Sequence, residues 1–345
     1  MELVVQKFGG TSVANAERIR NVARIITQTY RQGKNVVAVL SAQGDTTDDL
    51  LEKAREINEK ASKREMDMLL STGEQISVAL CAMAVESLGF PVVSLTGWQC
   101  GVKTNSAYSN ARIKRIESER VLAELDKRNI VIITGFQGVN KFDDITTLGR
   151  GGSDTSAVAL AAELHAGLCQ IYTDVDGVYT ADPRTVPGAR KLDEITYDEM
   201  LELATLGAQV LHNRSVELAK QYGVNLEVIS SFSGQPGTKV REVVKKMEKS
   251  HVSGVAKDKN IARIALVGLQ DQPGIAFKVF SLLAKQSINV DIILQSIGRD
   301  ETKDISFTIS KSDLPAAIQT LEDSKESLKF KNMTVSDRVA KVSIV

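Results

Sequence analysis

Leu3-Val4-Val5-Gln6-Lys7-Phe8-Gly9-Gly10-Thr11-Ser12-Val13 runs from a short β-branched apolar stretch, through a lysine and two glycines, into a helical pattern. The apolar run predicts a buried strand. Val13, Ile19, Val22, Ala23 and Ile26 recur near helical spacing, and Thr11 or Ser12 stands where an N-cap belongs. A glycine turn ahead of a helix directs backbone N–H groups and the positive end of a dipole outward, and Lys7 adds an ammonium. That chemistry suits a phosphate, although a tight strand-to-helix turn with an exposed lysine reads the same residues. No Gly-Lys-Ser/Thr follows, so it is not a Walker A loop.

The same grammar repeats outward from this turn. Strands are expected at Leu3 to Phe8, Asn35 to Ser41, Pro91 to Leu95, Ile130 to Gly135, Cys169 to Thr173 and Asn225 to Ile229. Helices are expected between them at Thr47 to Ile57, Met66 to Leu88 and Asp154 to Ala166. Such alternation predicts an α/β domain, a largely parallel sheet covered on both faces. Ser230 to Pro236 reads as its end and Val240 to Lys249 as a charged helical connector. From Ser253 the order changes to β-α-β-β-α-β, a ferredoxin-like module. Its elements are Ile261 to Gly268, Gly274 to Lys285, Ile288 to Ile297, Asp304 to Ser310, Asp313 to Leu321 and Phe330 to Val335. Val339 to Val345 matches Ile261 to Val267 in pattern at every position, as the opening strand of a second copy would.

Composition narrows the function classes. Lys+Arg and Asp+Glu both number 43, so no basic field points to nucleic acid or an anionic membrane. Cys81, Cys100 and Cys169 form no CxxC and no ligand cluster, which suits a reducing compartment and buried small side chains. The chain enters a strand at once, without a signal-peptide pattern, and no apolar run is expected to span a bilayer. The expectation is a cytoplasmic protein with neither a nucleic-acid nor a membrane partner and no structural zinc.

Four further clusters carry chemistry. Ser41-Ala42-Gln43-Gly44-Asp45-Thr46-Thr47-Asp48 follows the second strand and can contact a phosphoryl group or a polar substrate, or simply cap a helix at Thr46 or Thr47. Glu74, in Ser71-Thr72-Gly73-Glu74-Gln75-Ile76-Ser77, is costly to bury in an apolar helix unless it meets a cation; the alternative is a solvated carboxylate. Thr147-Leu148-Gly149-Arg150-Gly151-Gly152-Ser153-Asp154 is a second glycine turn into a helix. There Arg150 suits bidentate recognition of a carboxylate, and Asp154 suits Mg²⁺ or the lysine. The fourth cluster, Tyr172 to Arg184, offers aspartates, a tyrosine and an arginine after a strand, as nucleotide loops do; a plain polar turn is the other reading.

In this order and spacing KFGGTSV, SAxGDTTD, STGEQIS, GRGGSDTSA and YTDVDGVYTADPR resemble the aspartate kinases of the amino-acid kinase family. The resemblance extends through an ACT module marked by Asp271-Gln272-Pro273-Gly274 and by Asn289-Val290-Asp291-Ile292-Ile293-Leu294-Gln295. The Asp174 to Arg184 motif is shared by glutamate 5-kinase and uridylate kinase, whereas KFGGTSV with GRGGSDTSA is narrower. The implied fold is a three-layer αβα sandwich over 1–235, a linker over 236–252, a βαββαβ ACT module over 253–336 and, over 337–345, the first strand of a truncated second ACT module.

The resemblance also implies roles, residue by residue. Lys7 and Asp154 would be catalytic. Thr47, Glu74, Arg150, Gly151, Gly152 and Ser153 would bind L-aspartate, Glu74 its α-ammonium and Arg150 its α-carboxylate. Lys7, Phe8, Gly9, Gly10, Ser41, Ser153, Thr173, Asp174, Tyr179, Thr180, Asp182, Pro183 and Arg184 would hold ATP with Mg²⁺. Asp271, Gln272, Pro273, Gly274, Asn289, Val290, Asp291 and Gln295 would bind an effector, lysine and/or threonine, in a homo- or hetero-oligomer joined through ACT modules. One departure stands out: many relatives have Gly-Ala-Lys-Val-Leu where this chain has Gly207-Ala208-Gln209-Val210-Leu211, so more of the phosphate charge should fall on Lys7, unless Arg184 or Mg²⁺ compensates.

Overall fold

The computed structural model describes residues 1–208, 210–242, 252–286, 288–297 and 302–345. The chain divides into two compact units, Met1–Val255 with Val345, and Ala256–Ile344. In the first unit the elements run β1 (Leu3–Phe8), α1 (Ala16–Arg31), β2 (Asn35–Leu40), α2 (Thr46–Ile57), α3 (Lys63–Ser87), β3 (Val92–Leu95), β4 (Val102–Thr104) and β5 (Ile113–Ile116). They continue as α4 (Glu119–Asp126), β6 (Ile130–Thr134), β7 (Gln137–Val139), β8 (Ile145–Thr147), α5 (Gly152–Glu163), β9 (Leu168–Thr173), β10 (Glu194–Thr196), α6 (Tyr197–Thr205), α7 (Asn213–Tyr222), β11 (Leu226–Ser230) and β12 (Thr238–Arg241).

The main sheet has the order β10-β12-β11-β9-β1-β2-β6-β3. β1 pairs in parallel with β2 on one side and β9 on the other. The chain moves outward from β1 through β2 and later returns to the opposite side as β9. A crevice therefore opens between the carboxyl ends of β1 and β9, where ligands of open parallel sheets bind. The inner strands are buried on both faces, and Val36 to Leu40 and Ile130 to Ile133 are shut off from solvent completely. That burial is why they read as unbroken apolar runs.

Several expectations change. Neither Thr11 nor Ser12 caps α1: Gly10–Val13 is a 3-10 turn, and Asn15 caps the helix by accepting from the Arg18 N–H at 3.0 Å. The sheet does not stop at Gln235, because β12 pairs antiparallel with β11 and parallel with β10. Val240 and Arg241 are thus strand rather than helical connector, and 243–250 lies outside the described residues. A second sheet, β5-β4-β7-β8, has no counterpart in the sequence reading; its three- and four-residue strands are too short to establish a period.

α3 overturns another expectation. With 25 residues it is long and apolar enough, by length and composition, to cross a membrane. Here it packs Val78, Cys81, Ala82 and Val85 into the core beside β2 and β6 while burying Asp67 and Glu74.

In the second unit the elements are β13 (Val255–Asp258), β14 (Ile261–Gln270), α8 (Ile275–Lys285), β15 (Val290–Ile297), β16 (Thr302–Ser310), α9 (Leu314–Asp323), α10 (Lys325–Leu328), β17 (Asn332–Ser336) and β18 (Lys341–Ile344). The antiparallel sheet β15-β16-β14-β17 has ferredoxin-like order. Ile264, Leu266, Ile305 and Phe307 of the sheet meet Val279, Leu283, Ala317 and Leu321 of α8 and α9 in one core. β13 is not part of this sheet. It pairs with β18, so chain from before and after the module forms a separate two-stranded sheet.

Candidate active site

Lys7 is the penultimate residue of β1, and its ammonium lies 2.7 Å from Asp154 Oδ1 in the first turn of α5. Both side chains are nearly enclosed, at 12% and 11% exposed, so the pair has lost most of its solvent screening. Asp154 also sits at the positive end of the α5 dipole. The helix starts there because Gly151 takes the left-handed conformation, φ 67°, at its N-cap. A side chain at Gly151 would also strike the His212 ring, 2.2 Å from a built Cβ.

The glycines after Lys7 allow backbones to converge. Gly9 N–H donates to Tyr172 O across the β1/β9 crevice at 3.3 Å. A Cβ on Gly10 would come within 2.9 Å of Ala42 O. Phe8, expected among the nucleotide contacts, instead buries its ring in the core, stacked on Tyr172 at 4.6 Å. Only its backbone serves the turn.

Ala42, in the loop after β2, links this turn to α3: its N–H donates to Glu74 Oε1 at 3.1 Å. Gly73 permits that approach, since a Cβ there would lie 2.8 Å from the Ala42 Cβ. Glu74 is 3% exposed, and its Oε2 has no hydrogen-bond partner among the described residues. Burial pushes its carboxyl up to about 8. A buried acid with one oxygen unsatisfied is one that a cation would satisfy. Ser41 and Thr47 flank the same loop, half-buried.

Arg150 is exposed on the rim of a cavity of about 640 Å³ that also takes in Ser109, Asn110, Arg112, His212 and Arg214. Burial, and then neighbouring Arg112, lower the Arg214 guanidinium to about 10. Three arginines against the one acid of its lining, Glu217, make the cavity attractive to an anion. Gly152 is buried beneath Phe136, and Ser153 packs against Gly135 at the end of β6.

The β9 loop is placed by Ser231 and Thr238, which lie far along the chain from it. Ser231 N–H donates to Thr173 O at 3.0 Å while its hydroxyl meets that of Ser12 at 2.9 Å, tying the loop to the lysine-glycine turn. Buried Thr238 accepts from Val178 N–H at 2.8 Å. Tyr179 pairs with Lys191, and Thr180 exchanges hydrogen bonds with Arg190. Asp174, Pro183 and Arg184 are exposed. Arg184 is turned onto Asp182 at 3.0 Å rather than extended toward a phosphate.

The motifs do not point to His212, Arg214, Ser231 or Thr238, each of which acts through a partner remote in the chain. Asp67, buried in α3 like Glu74, accepts from Ser109 and Thr147, and as an acid in an apolar helix it carries the same signal in the sequence that Glu74 does. Gln209 lies outside the described residues.

In the second unit Asp271 to Gly274 is an exposed turn leading into α8, with Gly274 at φ 83°. Asp271 pairs with Lys303 at 2.6 Å, and Asp291 pairs with Lys341. Asn289 and Gln295 are exposed and Val290 is half-buried.

A lysine–aspartate pair between two glycine turns, at the switch point of a largely parallel sheet, suits phosphoryl transfer, and the unit that holds it is followed in the chain by a ferredoxin-like module. Residues 2–230 match the Amino acid kinase family and 264–324 match an ACT domain. An aspartokinase of Bacillus sp. (strain MGA3) is 50% identical over 345 residues, all of this chain and 84% of the relative. The structure of E. coli aspartokinase III in complex with aspartate and ADP (R-state) superposes with a TM-score of 0.83 at 27% identity, covering 100% of this chain and 87% of that one. Its complex with lysine and aspartate (T-state) gives 0.77 at 28%, with the same coverage. The chain belongs to the aspartokinases and is an aspartate kinase with an ACT domain.

Proposed function

We propose that this kinase transfers the γ-phosphoryl group of Mg²⁺-ATP to the side-chain carboxylate of L-aspartate, giving 4-phospho-L-aspartate at the entry to lysine, threonine and methionine synthesis in the cytoplasm. The observation that carries the reading is the nearly enclosed Lys7–Asp154 pair at 2.7 Å, set beside the Gly9-Gly10 turn and a Glu74 carboxyl awaiting a cation. A carboxylate is already nucleophilic near neutral pH, so no general base is needed; catalysis rests on in-line positioning and stabilisation of spreading charge.

Lys7 neutralises the phosphoryl oxygens, and Asp154 fixes the ammonium in place. Glu74 takes the substrate ammonium, with Ser41 and Thr47 beside it. Arg150 takes the α-carboxylate against the Gly151-Gly152-Ser153 turn. Thr173, Asp174, Tyr179, Thr180, Asp182 and Pro183 border the nucleotide, and Arg184 exchanges Asp182 for a phosphate. Among the described residues no group of three His, Cys, Asp or Glu could hold a metal. That donor set fits Mg²⁺ that would be held chiefly through nucleotide phosphates, with Asp154, beside Lys7, the carboxylate that could join it. The ion would supply charge neutralisation between the phosphates.

The E. coli complex with lysine and aspartate supports lysine as an effector of the ACT module, with threonine the other candidate. Its site would be built from Asp271, Gln272, Pro273, Gly274, Asn289, Val290, Asp291 and Gln295, in an oligomer joined through ACT modules. Effector ammonium would compete with Lys303 for Asp271 and with Lys341 for Asp291.

The test is ADP release from ATP-Mg²⁺ with aspartate, glutamate or no acceptor, with and without lysine and threonine. Turnover with glutamate and not aspartate would refute the substrate assignment.

A further inference from the structure

We propose that Asp67 is a positioning residue that sets the distance between Glu74 and Arg150 and thereby the enzyme's selectivity for an α-amino acid. The inference rests on the aspartate-binding reading above and goes one layer beneath it.

Asp67 is fully buried, and among the described residues its hydrogen-bond partners are Ser109 and Thr147, neither of them a cation. Its carboxylate accepts from Ser109 N–H at 2.9 Å and Ser109 Oγ at 3.1 Å, and from Thr147 N–H at 2.9 Å and Thr147 Oγ1 at 2.8 Å. Charge-assisted bonds of this kind are the strong ones, and a buried acid so fully satisfied holds its donors rigidly. The donors come from two segments remote in sequence, the loop before β5 and the end of β8.

Thr147 stands three residues before Arg150. The intervening chain has little slack. Leu148 is buried, and its carbonyl accepts from Arg214 Nη1 at 2.9 Å, while Arg214 Nη2 reaches Ala111 O at 2.7 Å. A Cβ on Gly149 would come within 3.0 Å of the Ser109 carbonyl. Beyond Arg150, Gly151 opens α5, which is tied to Lys7 through Asp154. The arginine is thus held between Asp67 and Arg214 on one side and the catalytic helix on the other.

Asp67 and Glu74 are seven residues apart on α3, two turns, so they share one face about 10 Å apart along the axis. The helix therefore acts as a ruler. One end carries the carboxyl that meets the substrate ammonium, and the other anchors the turn bearing the arginine that meets its α-carboxylate. A helix keeps that spacing far better than two loops would.

The test is steady-state kinetics of the full chain carrying Asp67→Asn, which sets an amide NH₂ against buried N–H donors. Misplacing Arg150 should raise KM for aspartate roughly tenfold or more, while KM for ATP and kcat stay within about threefold. Two competitive inhibitors separate the recognition elements. Succinate keeps both carboxylates and should weaken with aspartate, whereas β-alanine lacks the α-carboxylate and should not. Thr147→Val, which removes one hydroxyl and keeps the backbone bond, should show the same pattern at smaller size even if Asp67→Asn fails to fold.

Unchanged KM for aspartate in Asp67→Asn, or equal loss of succinate and β-alanine affinity in either variant, would overturn the proposal. So would a fall in kcat with KM unmoved. If the parent enzyme releases no ADP in response to aspartate, it is the substrate reading that fails.

Discussion

Raising the pH across neutrality should tighten aspartate binding through Glu74 alone. Burial holds this carboxyl up to about 8 in the ligand-free protein, and an ammonium partner demands the ionised form. At that pKa roughly 3% of the group is ionised at about pH 6.5 and roughly three-quarters at about pH 8.5, so the apparent Kd should fall about 25-fold, or ~1.9 kcal/mol. At about pH 7 each aspartate bound should expel ~0.9 proton. Titration calorimetry in two buffers of different ionisation enthalpy measures both quantities. His212 is the nearby alternative, but burial holds its imidazole below the ordinary 6.5, under the window tested. In Glu74→Gln the pH slope should vanish and the affinity should be low throughout. A flat Kd in the parent protein, or an undiminished slope in the glutamine variant, would refute the reasoning. Linkage adds an independent readout. A raised acid pKa costs the fold nothing below the unfolded value, and its cost grows until pH passes the folded value of about 8. Glu74→Gln should therefore stabilise the ligand-free protein by a few kcal/mol near pH 8.5 and hardly at all near pH 4, read from urea unfolding.

Removing the charge of Lys7 (Lys7→Ala) should lower kcat by at least about a hundredfold, the scale of one preorganised electrostatic group, and also destabilise the fold by about 3 kcal/mol because Asp154 is left nearly enclosed and unpaired. Near-normal kcat in folded protein would remove lysine from the mechanism. Asp154→Ala should lower kcat by a similar factor, measured in the same ADP-release assay. Gly73→Ala tests the α3–Ala42 contact. Helix propensity favours alanine by about 1 kcal/mol, but the 2.8 Å approach to Ala42 Cβ carries an overpacking cost of about 1–3 kcal/mol. Net destabilisation with a raised KM for aspartate is expected, and a more stable enzyme with unchanged KM would show that the contact yields freely.

Glu74 and Asp67 illustrate what a linear reading reaches. Both are acids in the same apolar helix, yet the sequence supplies a partner for neither. Glu74 is legible as an acid costly to bury in an apolar helix; Asp67 is open to the same argument, but what it does depends on Ser109 and Thr147, 42 and 80 residues away. Thr238 and Ser231, which fix the β9 loop, are hidden for the same reason. Arg184 shows the converse: its phosphate-reading character is plain in the sequence, but the folded chain sets it on Asp182.

The sequence by itself determined the class of fold, because buried parallel strands and the ACT strands and helices impose apolar periods that survive in one dimension. It also determined the residue types of the chemistry: a lysine, two glycine turns, an arginine and a lone acid. Tertiary structure alone decided that Lys7 pairs with Asp154, that Glu74 is held near neutrality and that Asp67 binds Ser109 and Thr147 together. Each depends on distance and desolvation between segments far apart in the chain. The chain order of the residues carries neither quantity.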